Sequence, residues 1–273
     1  MKSFALALGA GGARGLAHIA VIEALDDMRV RPAAIAGTSI GALIGAAYAA
    51  GMSGREIRRF VIALAHNRGE VLRRLVAARA GTFANLFSVG FGSATLIDAE
   101  KFCALFMPPE VPDAFEAMQI PLTVIASDLH RRRQVPLFAG PLRIALAASI
   151  ALPTVVRPVM IQDQVLIDGG ATNPLPFDTL TDNADVIVAV DISGEPSEER
   201  RDIPNPWECL LTTVLVMGSA IIGEKLKHGA PDLMIRPKVG LFRALDFFQA
   251  SAILRAAEPA KAEIKEKLGA LLR

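Results

Sequence analysis

Short apolar runs alternate with longer amphipathic stretches along this chain. Runs at 4–8, 33–37, 122–126, 135–138, 165–168, 186–190 and 233–235 are almost wholly apolar, which predicts strands buried on both faces of a sheet. Between the first two, Leu16, Ile19, Ile22, Leu25 and Met28 recur every three residues, with Glu23, Asp26 and Asp27 off that stripe. That spacing predicts an amphipathic helix. The run from Ile40 to Ala47 is small and apolar, which predicts a tightly packed helix that Gly51 can cap. Ser53 followed three residues later by Glu56 is a capping box that opens another helix. Residues 243–273 read as mostly helical, with a break near Pro259.

Strands alternating with helices predict an α/β fold with a mainly parallel central sheet. The chain shows no internal repeat and no low-complexity segment. Residues 193–206, rich in glycine, proline and charge, read as a loop and not as a domain boundary. One domain over 1–273 is expected, with core motifs at 4–192 and a helical part at 207–273. A length of 273 residues suffices for a substantial core.

Charge and cysteine content narrow the function. A net charge of +1 gives no global argument for nucleic acid binding. Two cysteines, Cys103 and Cys209, make no disulfide framework. Both stand among apolar residues and are expected to be buried thiols. Lys2 and the run at 4–8 have a weak signal-peptide look, but a buried first strand explains so short a run better. The longest apolar stretch, 210–223, is shorter than the roughly 18 residues of a membrane span and is expected to be a buried helix. A cytoplasmic protein, at most peripheral to the membrane, is the expectation.

The richest chemistry lies in Gly37-Thr38-Ser39-Ile40-Gly41, between a strand and a helix. A serine on so sharp a turn presents its hydroxyl above the sheet, beside a helix N-terminus that favours a developing oxyanion. Gly37 and Gly41 leave room where a Cβ would crowd neighbouring backbone. A serine hydroxyl needs a base and oxyanion donors. Gly9-Ala10-Gly11-Gly12-Ala13-Arg14-Gly15 follows the first strand and can offer backbone N–H groups. A dinucleotide loop is the rival reading, but Arg14 stands where glycine or alanine belongs, and the second strand ends in Thr38-Ser39 without an acid.

The base is the harder question. The histidines are His18, His66, His130 and His228. Only His228 follows Asp168 in the order of a Ser–Asp–His hydrolase, and it reads as a helix end. His18, four residues after Arg14, reads as structural. Asp168, which closes a strand before Gly169 and Gly170, is the better base, because burial can raise its basicity. Asp128 and Asp191 also close strands and compete with it.

Together these motifs resemble the patatin-like phospholipases. The resemblance runs from Gly11-Gly12-Ala13-Arg14-Gly15 through Gly37-Thr38-Ser39-Ile40-Gly41 and Ala126-Ser127-Asp128 to Ala147-Ala148-Ser149-Ile150 and Asp168-Gly169-Gly170. It implies a three-layer α/β/α sandwich and a serine–aspartate dyad with Ser39 as nucleophile and Asp168 as base. Gly11, Gly12 and Ala13 would supply oxyanion N–H groups, with Arg14 bracing the loop. The chain departs from the family pattern at Ala10, where many members have glycine, and at Leu152-Pro153-Thr154, which replaces a Pro-Gly step.

Seven arginines lie between Arg55 and Arg79 against Glu56 and Glu70, and Phe83, Phe87 and Phe91 follow among glycines. The segment reads as a solvated helix face with core phenylalanines, or as a membrane-docking or lid element. Arg131-Arg132-Arg133 reads as an exposed hairpin tip. The expected activity is hydrolysis of a lipid or small ester, of phospholipase A, lysophospholipase or carboxylesterase type, without metal or organic cofactor. An acyltransferase using the same nucleophile and a non-catalytic, membrane-associated regulatory module are the alternatives. The oligomeric state is left open.

Overall fold

The computed structural model describes residues 2–78, 97–153, 155–193, 203 and 206–273. Among these, eight strands form one sheet: β1 (Phe4–Leu8), β2 (Ala34–Thr38), β3 (Leu122–Asp128), β4 (Arg133–Leu137), β5 (Val159–Ile161), β6 (Gln164–Asp168), β7 (Val186–Val190) and β8 (Leu233–Ile235). The hydrogen-bonded path is β5-β6-β3-β2-β1-β7-β8, and β4 pairs with β3 off that path. Pairs β1–β2, β2–β3, β1–β7 and β7–β8 are parallel, while β3–β4, β3–β6 and β5–β6 are antiparallel. The seven runs read as strands are all strands. β5 was not foreseen. It has three residues between Pro158 and the turn at Gln162-Asp163, and only Val159 of them is buried.

Alternation along β1 sorts the two faces. Phe4, Leu6 and Leu8 join a large cluster with α1 (His18–Met28), α2 (Ile40–Ala49), α6 (Leu142–Ser149), α8 (Ala250–Ala257) and α9 (Pro259–Leu271). Ala5, Ala7, Ala34, Ala36 and Ala189 face a thinner layer of Leu175, Phe177, Leu180 and Ile222. Ile222 belongs to α7 (Pro206–His228). Alanines let that layer lie close to the sheet. The expected α/β/α sandwich therefore forms, with its two helical layers unequal.

Local signals hold in detail at several points. Ser53 and Glu56 make the reciprocal capping box that opens α3 (Gly54–His66). Gly51 has φ +104 after α2, as a C-terminal cap requires. Residues 131–133 lie at the exposed tip between β3 and β4. The helix expected from Leu16 begins instead with a 3-10 turn at Gly12–Ala17. Glu23, off the apolar stripe, is nevertheless buried, because α3 and α9 close over it. It pairs with Arg58 at 2.7 Å and Lys261 at 2.5 Å. Arg58 is thus turned inward, leaving the basic stripe around it less solvated than its sequence implies. Arg55 pairs with Asp27, and Arg73 with Glu70 on α4 (Arg68–Ala77). Arg79, Phe83, Phe87 and Phe91, with the glycines between them, lie outside the described residues, as does most of the 193–206 loop.

The largest departure is α7. The stretch expected to be a buried helix is an extended one whose most apolar window is only 11% buried. Its segment Glu208–His228 is long and apolar enough, by length and composition, to cross a membrane. Gly218 and Ile222 turn inward, while Leu210, Val216 and Met217 stand exposed. Cys103 is buried as expected, on α5 (Ala99–Phe106), but Cys209, on α7, is exposed. Periodicity could not foretell this, because α7 is apolar on every side and no polar face marks which side is wet.

Candidate active site

A strand has two hydrogen-bonding edges, and β3 uses them unequally. β4 runs along one edge, opposite residues 124–128. The other edge is shared: β2 takes its first half, with Thr38 opposite Ile125, and β6 takes its second half, with Asp168 opposite Ala126. β2 runs parallel to β3 and β6 antiparallel, so the C-terminal ends of β2 and β6 meet head to head. Ser39, the residue after β2, therefore faces Asp168, the last residue of β6. The Ser39 Oγ–H donates to Asp168 Oδ2 at 2.7 Å.

The turn around Ser39 is strained and tightly enclosed. Ser39 has φ 55 and ψ −123, an unfavourable conformation for a side-chain-bearing residue. A Cβ on Gly37 would lie 2.6 Å from Ala42 Cα, and one on Gly41 would lie 2.2 Å from the Leu8 carbonyl oxygen. Neither position accepts any side chain. Ser149, at the end of α6, completes the support: its hydroxyl accepts the Ser39 amide at 2.9 Å and donates to the Ile125 carbonyl at 2.6 Å. The sequence marks Ser149 only as part of a motif; its supporting part appears once α6 is placed against β3.

Asp168 is 7% exposed, and its Oδ1 accepts the Gly170 amide at 2.7 Å. Burial outweighs that bond and the one from Ser39, and pushes its pKa up to about 6. Its backbone is held too, since Ser127 Oγ donates to the Asp168 carbonyl. Gly169 lies against β3, where a Cβ would meet the Ile125 carbonyl at 2.2 Å. The competing carboxylates are engaged elsewhere. Asp128 accepts the His130 and Arg131 amides and the Arg131 guanidinium, with the Arg131 amide foremost in holding its pKa below the usual range. Asp191 binds Ser193 and Arg236.

Histidine takes no part in the pair. His18 is fully buried, its Nε2 sits 2.9 Å from the Gly9 carbonyl oxygen, and burial lowers its pKa to about 4. His228 ends α7 in the open, 3.5 Å from Glu224. Neither His66 nor His130 lines the cavity described below.

The glycine loop opens the 3-10 turn beside Ser39. The leading N–H groups of such a turn have no acceptor within it. Gly11 and Gly12 both line the same cavity as Ser39. Ala13 differs from expectation: its amide donates to the Ala244 carbonyl at 2.7 Å and so anchors the loop, leaving it unavailable to an oxyanion. The Arg14 guanidinium donates to the carbonyls of Phe242 and Gly240, in the segment leading into α8, and of Ser193, just after β7.

Above the pair lies a cavity of about 170 Å³. Phe102 and Phe106 of α5 form one wall, Leu211, Val214 and Leu215 of α7 another, and Leu152 and Pro153 a third. Ser39, Asp168 and Ser193 are its polar side chains among the described residues, and the rest of the lining is apolar or glycine.

A hydroxyl on a strained strand-to-helix turn, bonded to a buried carboxylate under an apolar cavity, defines an α/β protein with a serine–carboxylate site. The sequence profile of the patatin-like phospholipases matches residues 6–181. The chain belongs to the patatin-like phospholipase family. An NTE family protein of Mycobacterium tuberculosis is 37% identical over 199 residues, covering 72% of this chain and 51% of that protein. Patatin-like phospholipase domain-containing protein 7 of Rattus norvegicus is 26% identical over 274 residues, covering 90% of this chain and 19% of its own length. The chain thus spans about half the length of the mycobacterial relative and less of the rat one. Among solved structures, VipD from Legionella pneumophila shares the fold with a TM-score of 0.52 at 13% identity, over 97% of this chain and 66% of that one.

Proposed function

We propose that this chain is a serine hydrolase of lipid esters, with Ser39 as nucleophile and Asp168 as base. The 2.7 Å bond between them carries the reading, because it joins the half-buried hydroxyl of a strained turn to a carboxylate of raised basicity. With a pKa of about 6, Asp168 is mostly ionised at neutral pH and a better proton acceptor than an ordinary aspartate. As Ser39 Oγ attacks the ester carbonyl, its proton passes to Asp168. The Gly11 and Gly12 N–H groups and the N-terminus of α2 receive the oxyanion. Collapse breaks the bond to the alcohol, which leaves with the proton from Asp168. Water then attacks the acyl-enzyme, Asp168 accepts its proton, and Ser39 is released as the free hydroxyl with the carboxylic acid.

The cavity supports a lipid as substrate, since its lining offers an apolar chain much contact and few polar partners. The exposed face of α7 supports a bilayer as the place of action. Leu210, Val216 and Met217 face outward while Leu211, Val214 and Leu215 of the same helix line the cavity. A helix resting on lipid by its outer face brings the cavity to the membrane surface.

Turnover of p-nitrophenyl esters and of a lysophospholipid tests the reading. Wild type is expected to hydrolyse both classes, with rates lowered on the order of 10⁴-fold in Ser39→Ala and in Asp168→Asn, and no further in the double variant. Hydrolysis by a folded Ser39→Ala variant at the wild-type rate would overturn it.

A further inference from the structure

A second cavity of about 250 Å³ lies behind the first. The two share wall residues, among them Phe102, Phe106, Leu245 and Phe247. The three phenylalanines pack in series, Phe102 edge-on to Phe106 at 5.0 Å and Phe106 tilted against Phe247 at 5.4 Å between ring centroids. They form a partition with the serine–carboxylate pair on one side. Beyond it, Phe60, Leu64 and Ala65 of α3 and Val71 and Leu75 of α4 line the far end. Every described residue lining this second cavity is apolar.

That contrast decides the occupant. Water needs two or more polar partners to stay ordered in a cavity, and the described lining offers no polar side chain. A head group, a sugar or a phosphate would leave its hydrogen bonds unmade here. An alkyl chain loses nothing and gains about fourfold in affinity for each methylene taken from water. Among the described residues, the first cavity holds all the polar side chains of the two chambers and thus suits the ester, while the second suits a hydrocarbon tail.

We infer that the acyl chain of the scissile ester passes the Phe102–Phe106–Phe247 partition into the chamber bordered by α3 and α4, making this chamber the subsite that selects long acyl groups. The inference rests on the proposal that Ser39 attacks the ester. The partition residues then set where a chain must bend, and α3 and α4 set how long it can be.

Filling the far end tests this without touching Ser39 or the partition. Ala65→Trp places an indole into the chamber from α3, and Leu64→Trp does the same from the neighbouring position should the first variant fold poorly by circular dichroism. Two readouts are taken on each. The first is the ratio of inactivation rate constants for hexadecyl over ethyl fluorophosphonate. The second is the calorimetric dissociation constant for myristate, which needs no reaction at Ser39. The expected result is that wild type prefers the long probe, and that a folded variant loses about tenfold or more both in that ratio and in myristate affinity. Unchanged ratio and unchanged myristate affinity in folded variants overturn the chamber assignment while leaving the nucleophile intact. Failure of both probes to label wild type, with myristate affinity still weakened by the tryptophan, overturns the nucleophile and upholds the chamber as a chain-binding site.

Discussion

The Ser149 hydroxyl holds the Ser39 amide at 2.9 Å and is itself anchored on the Ile125 carbonyl. One side chain thereby fixes the strained turn to the central strand β3. Ser149→Ala leaves the half-buried Ser39 N–H and the buried Ile125 carbonyl short of a partner. A loss of about 1–3 kcal/mol in stability is expected. The turn should also sample more conformations, lowering kcat by about tenfold with KM little changed. Ser149→Thr keeps the hydroxyl and is expected to recover part of kcat. Denaturant unfolding and ester kinetics check this; a drop in stability with full kcat would reduce Ser149 to a purely structural residue.

Asp168 ties activity and stability to pH in opposite senses. Its folded pKa of about 6 lies above the ordinary value of 3.8. As pH falls through about 6 the base is protonated, so kcat/KM should drop tenfold per pH step below that point. Stability runs the other way. Below about pH 4 the carboxyl is neutral in both folded and unfolded chains and imposes no penalty. Between about 4 and 6 the unfolded chain ionises while the folded one does not, so stability falls as pH rises, by up to about 3 kcal/mol, and stays level above. Asp168→Asn is therefore expected to melt higher than wild type at pH 7.5, with the gap closing near pH 4. An acid limb near pH 4 in the rate profile, or a gap independent of pH, contradicts the raised pKa.

The outer face of α7 makes a separate prediction. Val216 is 63% and Met217 61% exposed, on a helix whose other face lines the cavity. A Val216→Glu, Met217→Glu variant should lose flotation with phosphatidylcholine vesicles and lose turnover of vesicle-borne lipid by about tenfold or more. Hydrolysis of a soluble short-chain ester should drop far less. Equal flotation of variant and wild type would remove α7 from the docking surface.

Much of this was legible in the sequence because its signals are local. Gly37, Ser39 and Gly41 mark the turn through backbone room, and Asp168 closes an apolar run before two glycines. Runs such as 4–8, 122–126 and 186–190 announce strands by their nearly unbroken apolar character. What stayed hidden depends on tertiary placement. Ala13 looks like any donor in a glycine loop until Ala244, far along the chain, is brought against it. Glu23 looks solvated until Arg58 and Lys261 close over it. The exposure of α7 and Cys209 is invisible because an evenly apolar helix carries no mark of which side faces water.

The proposed chemistry needs one hydroxyl and one carboxylate to reach each other where β2 and β6 meet. The most direct measurement is intact-protein mass after treatment with a fluorophosphonate, followed by peptide mapping. One adduct on Ser39 is predicted, forming on the order of 10³-fold or more slowly in Asp168→Asn and not at all in Ser39→Ala. An adduct on another residue, or labelling of Ser39 at an undiminished rate without the Asp168 carboxylate, would contradict it.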